Sequence, residues 1–515
     1  MFSMRIGTLH NLPWTWSNGR WVSGTAWIAP YDHPALETWS LRDSTRVAFQ
    51  LRERIQDRER IAPADPHPVS PRAYNAALAD AHQWPAAHHL IEIIPDAVTV
   101  TTGGRATAPV YLAVNHGALH ADWDITQLRL VIPHQKLDPV EIARSLGLAG
   151  HYSTRTVFES VHLLTERGQG VFRDGMLTLT APPACEHDQA RELADNAPVV
   201  EAYVELLDSV LADHYHAPQH TAVELSGGMD SSNVALSLAR RHGPGISAGA
   251  LLQDGEAGKQ QVRRRSAVMH YCGIKEDTTL PAAEYLPLDP RWTSDQRLGP
   301  HEEIYMAGHS RLLSAWRNQG ILWAATGVGG DEMLSLPMPA SERAQMSHRH
   351  LPTWFTRRTR EAIEDQQHGV PPAPPISDST LRAMACGAPM YLRAGVWPLY
   401  PLADPVMWKF GQWLPTQWRR NKHLARARME HCDVFPREVA HPRLRENFHH
   451  VWDASLLRFA PSLTRDMLKH GSVLIDDGYV APKALAEAAD RIGDGRPYQE
   501  DSMLGHTLRL HQALI

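Results

Sequence analysis

Apolar and polar positions alternate in short runs over the first 185 or so residues. Runs at 5–9, 21–28, 97–102, 109–114 and 118–123, bounded by Gly, Asn, Asp and Pro, predict strands. Asn115-His116-Gly117 joins the last two as a hairpin turn would. Thr101-Thr102-Gly103-Gly104-Arg105 reads as a turn whose glycines serve backbone geometry. Two stretches, 43–60 with its many charges and 73–82, predict surface-packed helices. Together they predict an α+β unit rich in antiparallel pairs.

The pattern changes near Ala181-Pro182-Pro183-Ala184. Beyond it Val200, Tyr203, Val204, Leu207, Val210 and Leu211 recur at three- and four-residue intervals, the signature of an amphipathic helix. A strand at 222–225, a helix at 232–241, a strand at 246–252, a helix around 260–271, a helix at 303–318 and a strand at 321–326 follow. Strands alternating with helices predict a parallel, doubly wound sheet. The run Gly369-Val370-Pro371-Pro372-Ala373-Pro374-Pro375 continues neither element and reads as a loop. The expected division is two domains, 1–190 and 191–515.

Chemistry concentrates where the strand 222–225 meets Ser226-Gly227-Gly228-Met229-Asp230-Ser231-Ser232 and a helix. A strand, a glycine loop and a helix N-terminus place several backbone N–H groups around one concave spot, which suits a polyanion. Gly227 and Gly228 let the backbone approach phosphate oxygens, and Ser226, Ser231 and Ser232 add hydroxyl donors. Asp230 would repel that anion unless it holds Mg2+ against the phosphates.

Composition narrows the remaining classes. The 43% hydrophobic and 21% charged residues suit a globular chain, and no apolar run approaches a membrane span. The start of the chain lacks the pattern of a secretory signal, so a cytoplasmic location is expected. A net charge of −6 argues against a general nucleic-acid binder. Cys185, Cys272, Cys386 and Cys432 have no metal-ligand spacing, and the 30 histidines are scattered.

The first loop resembles the PP-loop of ATP-pyrophosphatases, which cleave ATP between the α and β phosphates and adenylylate a substrate. Thr326-Gly327-Val328-Gly329-Gly330-Asp331-Glu332 is similar to the pyrophosphate segment of asparagine synthetases and β-lactam synthetases. By that resemblance Leu225, Ser226, Gly227, Gly228, Asp230, Ser231, Ser232, Gly327 and Gly329 contact ATP or pyrophosphate, and Asp230 and Asp331 hold Mg2+. Pro401-Leu402-Ala403-Asp404 and the later Arg419-Arg420-Asn421-Lys422-His423-Leu424 resemble a third segment of that family, a basic helix whose lysine faces the α-phosphate and acyl carbon. Lys422, with Arg419 beside it, would stabilise the charge that grows there. Asp404 reads equally as a structural turn residue.

Two departures separate this chain from the glutamine-dependent synthetases. Phe2 stands where they carry a nucleophilic cysteine, with Ser3 as the only nearby substitute, so no glutamine hydrolysis is expected. Val328 stands where they carry glutamate and the β-lactam synthetases tyrosine, and it cannot move a proton. With Ala108-Pro109-Val110-Tyr111-Leu112, the stretch 117–125 and the stretch 151–158, the chain looks like the lasso peptide cyclases.

That resemblance implies a degenerate glutaminase-like (Ntn-type) sandwich followed by a doubly wound PP-loop domain. It also implies an ATP- and Mg2+-dependent macrolactam synthetase acting on the core peptide of a ribosomal precursor, alongside a leader peptidase and a leader-binding protein. Trp397, Trp408, Trp413 and Trp418 would then either wall the peptide site or pack in the core. A small-molecule amide ligase, β-lactam synthetase-like or ammonia-dependent asparagine synthetase-like, is the alternative.

Overall fold

The computed structural model describes the chain except residues 8–12, 56–57, 132–135, 215, 294–297, 337–350, 365–371, 433 and 445. Part of the expected strand at 5–9 and part of the loop at 369–375 therefore lie outside the described residues.

The first part of the chain builds two seven-stranded sheets. In one, Val161–Leu163, Tyr111–Asn115, Ala118–Asp122, Phe2–Ile6, Ala26–Pro30, Arg20–Ser23 and Thr15–Ser17 lie side by side. In the other the order is Met176–Thr180, Gln169–Arg173, Ala97–Thr102, His88–Ile94, Val47–Glu53, Leu36–Arg42 and His67–Pro68. All pairs are antiparallel except the last. Phe2, Met4, Ile6, Trp21 and Leu112 of the first sheet meet Phe49, Leu51, Ile91, Val98 and Val100 of the second in one buried layer, the packing of a β-sandwich. The turn at His116 and Gly117 has positive φ at both residues, as a two-residue hairpin requires.

Two sequence expectations fail here. The run 21–28 is two strands, Arg20–Ser23 and Ala26–Pro30, reversing at Gly24 with φ +58°. The predicted helix at 43–60 is instead the strand Val47–Glu53, buried at every position. Val47, Phe49 and Leu51 face the sandwich, while Ala48 packs with Tyr74 and Ala81 of the helix Pro71–His82. Its charges are satisfied inside: Arg52 pairs with Glu37 at 2.8 Å and Glu53 with His214 at 2.7 Å. A helix-like scatter of charge thus conceals a central strand with two covered faces.

Beyond the helix Val199–Asp213 comes a five-stranded parallel sheet ordered Asp277–Pro281, Ser247–Leu252, Thr221–Glu224, Trp323–Ala325 and Trp397–Leu399. Val223 and Leu225 pack with Val234, Ala235 and Leu238 of the helix Met229–His242. Ala222 and Ala324 pack on the other face with Leu312 and Trp316 of the helix Met306–Asn318. The sheet is therefore doubly wound. Strand order reverses between Thr221–Glu224 and Trp323–Ala325, so the crevice above their C-terminal ends is where such a sheet takes a ligand.

The scattered histidines include several buried ones. Burial pushes His33, His216, His301 and His506 down to about 4. The unfolded chain takes up protons below its ordinary histidine value of about 6.5, whereas these four resist until about 4, so stability falls as pH drops across that window. Asp122 and Asp230, pushed up to about 6 by burial, act oppositely, as do Glu141, Glu166, Glu302, Asp378 and Glu446, which burial also raises. His88, His89, His120, His162, His242 and His511 are lowered too and leave the histidines in the majority. The thermal midpoint is expected to be lower at pH 5 than at pH 7.5 by roughly 5 °C or more; equal midpoints contradict this.

Candidate active site

The strand Thr221–Glu224 delivers buried Leu225 and then breaks sharply. Gly227 has φ +91°, and a Cβ there would come within 3.2 Å of the Gln261 carbonyl. Gly228 caps the helix Met229–His242 without a side-chain hydrogen bond, which leaves that N-terminus to an anion. Its own N–H donates to Ser226 Oγ at 3.0 Å, and Ser226 Oγ and Ser231 Oγ are 3.2 Å apart. Ser232 Oγ is buried with no hydrogen-bond partner among the described residues.

The second loop leaves the neighbouring strand Trp323–Ala325 and leans directly on the first. A Cβ on Gly327 would meet Ser231 N at 2.9 Å, one on Gly329 the Ala403 backbone at 2.8 Å, and one on Gly330 the Asp230 carboxylate carbon at 2.5 Å. Glycine at these points lets Asp230 and Asp331 converge. Lys422 Nζ lies between them, 2.5 Å from Asp230 Oδ2 and 2.6 Å from Asp331 Oδ1. Burial pushes Asp230 up to about 6 against the pull of Lys422, with Asp331 and Glu332 adding like charge. Burial alone would lower Lys422, but the two carboxylates override it and hold its pKa raised.

Lys422 reaches this point from a broken backbone. Where a continuous basic helix was expected, a turn at Thr416–Arg419 is followed by Asn421 and Lys422 with φ 53° and 55°, and only then by the helix His423–His431. Left-handed geometry at two non-glycine residues costs on the order of 1 kcal/mol or more each and is kept where surroundings enforce it. Arg419 lines the same cavity and donates to the Ser335 carbonyl. Asp404 takes the structural role: it caps the helix Pro405–Trp413 through Val406 N and pairs with Arg105 at 2.6 Å.

Ser226, Asp230, Asp331, Arg419 and Lys422 line one cavity of about 1050 Å³. Its cationic side chains are Arg264, Arg419, Arg420, Lys422 and Arg426, and Leu251, Leu312, Val328, Leu334, Leu336 and Phe448 form an apolar wall. Among the described residues no tryptophan lines it. Trp397 is fully buried, Trp408 and Trp418 pack on the core, and Trp413 stacks on Arg191. Past Arg420, Asn421 and Arg426, a second hollow of about 650 Å³ is lined by Trp418 and His423.

Sequence reading missed Glu446. Its carboxylate sits over the glycine loop, accepting from Ser226 Oγ at 3.4 Å and from Arg264 at 2.5 Å. It lies over the loop that the sequence leads one to expect at phosphate, 220 residues from Ser226 in sequence, and no local pattern marks it. Burial pushes its carboxyl above the usual range despite Arg264. Glu446→Gln is expected to lower the ATP concentration for half-maximal AMP formation by about threefold or more, since it removes charge repulsion and frees Arg264 for phosphate. An unchanged or higher requirement contradicts this.

Two glycine loops at a switch point, joined through Asp230, Lys422 and Asp331, are a constellation that can be compared with known proteins. Residues 202–379 match the asparagine synthase family model. Both glycine loops fall inside the matched residues, whereas Lys422 and Glu446 lie beyond them. The family's enzymes use ATP, and the domain points to an ATP-dependent amide-bond ligase of the PP-loop kind.

No curated protein matches the chain. Similar solved structures include the U34-tRNA thiolase NcsA from Methanococcus maripaludis with its [4Fe-4S] cluster, at 12% identity over 57% of this chain and 78% of that one, TM-score 0.24. Another is the allosteric regulatory enzyme of purine biosynthesis, at 9% identity over 63% and 74%, TM-score 0.21. A third is the glutamine phosphoribosylpyrophosphate amidotransferase from B. subtilis complexed with ADP and GMP, at 10% identity over 80% and 86%, TM-score 0.20. Likenesses this weak bear on neither the fold nor the chemistry of this chain.

Asp230 and Asp331 suit a magnesium ion in one respect: their oxygens already converge on a single cation, the Lys422 ammonium. Among the described residues no group of three or more His, Cys, Asp or Glu is placed to hold a metal. The protein would supply two carboxylates and the nucleotide the rest, the usual arrangement for Mg2+ at phosphates. Phe2 is fully buried in the sandwich with its ring edge-on to His89, and it offers no nucleophile. No helix among the described residues is long and apolar enough to cross a membrane.

Proposed function

We propose that the chain closes a macrolactam in a ribosomally made peptide of the lasso class. ATP adenylylates an Asp or Glu side chain of the core peptide with loss of pyrophosphate, and the peptide's own α-amine displaces AMP. The supporting observation is the cavity, whose phosphate end at Ser226, Asp230 and Lys422 runs into an apolar wall. Its volume is at or above the roughly 300–1,000 Å³ usual for small-molecule sites.

The Ser226 to Ser232 loop holds the triphosphate, with Asp230 and Asp331 as the residues that would hold Mg2+. That ion, when bound, neutralises pyrophosphate charge. Lys422 and Arg419 face the α-phosphorus and stabilise charge developing there. Because the nucleophile comes with the substrate, Phe2 costs the reaction nothing, and holding amine and acyl group together supplies a high effective molarity. The core peptide, the leader peptidase and the leader-binding protein are the partners of this reading.

Incubating the protein with ATP, Mg2+ and the core peptide encoded by the short open reading frame beside this gene tests it. The expected product is one water lighter and resists carboxypeptidase. Turnover of free aspartate or another small amino acid, with the peptide left unchanged, instead favours a β-lactam synthetase-like or ammonia-dependent asparagine synthetase-like ligase.

A further inference from the structure

Amide formation requires a proton acceptor that Val328 cannot be. The amine attacks as free base; its nitrogen bonds to the acyl carbon, the carbon–oxygen bond to phosphate breaks, and AMP leaves with the electron pair. One N–H proton must then leave the nitrogen. Of the carboxylates lining the cavity, Asp230 and Asp331 are engaged by Lys422, and Glu446 by Arg264 and Ser226.

Glu224 stands apart from these. It ends the central strand Thr221–Glu224, two residues before Ser226, and alternation puts it on the face of Ala222, away from Val223 and Leu225. Its Oε1 accepts from the phenol of Tyr391, a buried residue of the helix Asp378–Arg393. Its Oε2 has no protein donor among the described residues, and the side chain lines the cavity with Gly249, Leu312 and Val328. Burial holds the Tyr391 phenol far above its ordinary range, with Glu224 adding to the shift, so Tyr391 remains a donor.

We propose that Glu224 is the base of the amide-forming step, aimed into the cavity by Tyr391 and taking the proton that the attacking amine gives up. The role rests on the amide-ligase reading above. Glu224 is the catalytic group and Tyr391 a positioning residue. His309, which lines the same cavity with Nδ1 buried and without a partner among the described residues, is the competing acceptor.

Two readouts separate the half-reactions: ATP–pyrophosphate exchange and peptide cyclisation, both with the core peptide described above. Glu224→Gln is expected to hold exchange within about threefold while cyclisation falls ~10²-fold or more, the scale of a lost general base. Adenylylated peptide then accumulates and is seen by mass in acid-quenched samples. Glu224→Asp restores cyclisation in part, and Tyr391→Phe lowers its kcat by about tenfold with KM unchanged.

Glu224→Gln cyclising at the wild-type rate overturns the assignment, as does equal loss of exchange and cyclisation in both Glu224→Gln and Glu224→Asp, which marks a structural role. Accumulation of adenylate in His309→Gln but not in Glu224→Gln transfers the role to His309. A wild-type protein that supports neither exchange nor AMP release overturns the ligase reading itself, a failure distinct from the others.

Discussion

Asp230→Ala and Asp331→Ala are each expected to reduce AMP formation by about 10³-fold or more while leaving the thermal midpoint within a few degrees of wild type. Each substitution deletes one of two carboxylates that converge on a single point above the glycine loops. Asp331 is largely exposed, so its loss costs little stability. Asp230 is mostly covered, with 16% of its side chain exposed, and burial raises its pKa against the pull of Lys422. In the proposed reaction that disadvantage is offset by a cation that arrives with the nucleotide. Alanine variants retaining more than a tenth of wild-type AMP formation contradict the assignment; the measurement is AMP released per enzyme with core peptide and ATP, beside a melting curve.

Lys422→Ala carries the second large effect, an expected fall of ~10²- to 10³-fold in ATP–pyrophosphate exchange, the scale for removing one preorganised charge from a reacting centre. The ammonium sits at the break where Asn421 and Lys422 adopt left-handed backbone, and it is the cation that contacts both aspartates. Lys422→Arg is expected to restore little, since a broad, planar guanidinium does not reproduce a compact charge between two carboxylates. Arg419→Ala is expected to cost less, because that guanidinium contacts the Ser335 carbonyl and neither aspartate. Full exchange in Lys422→Ala, or a larger loss in Arg419→Ala, contradicts this ranking.

Much of the parallel sheet was legible because its signals are local. Apolar runs of strand length led straight into Ser226-Gly227-Gly228 and Gly327-Val328-Gly329-Gly330, and the structure places both loops at the C-terminal ends of adjacent strands. The strand Val47–Glu53 was illegible because Arg52 and Glu53 find partners from Glu37 and His214, the latter 161 residues away. Periodicity counts a charge as exposed; a distant partner that neutralises it leaves no local trace.

The site shows the same limit. Asp230 was singled out from its glycine loop, and Asp331 and Lys422 by resemblance to family segments, although the expected helix around Lys422 is broken. Glu446, Arg264 and Glu224 were not found. A glutamate or arginine in an unremarkable stretch acquires meaning when folding sets it against Ser226, Glu446 or Tyr391, 167 to 220 residues away.

The central claim is that the substrate carboxylate attacks the α-phosphorus of ATP. Core peptide carrying 18O in its acceptor carboxylate tests it in one measurement. The carboxylate oxygen that bonds to phosphorus stays there when the amine displaces AMP, so 18O is predicted in AMP, with pyrophosphate unlabelled. Label in orthophosphate, with ADP as the nucleotide product, would show attack at the γ-phosphorus and contradict the account.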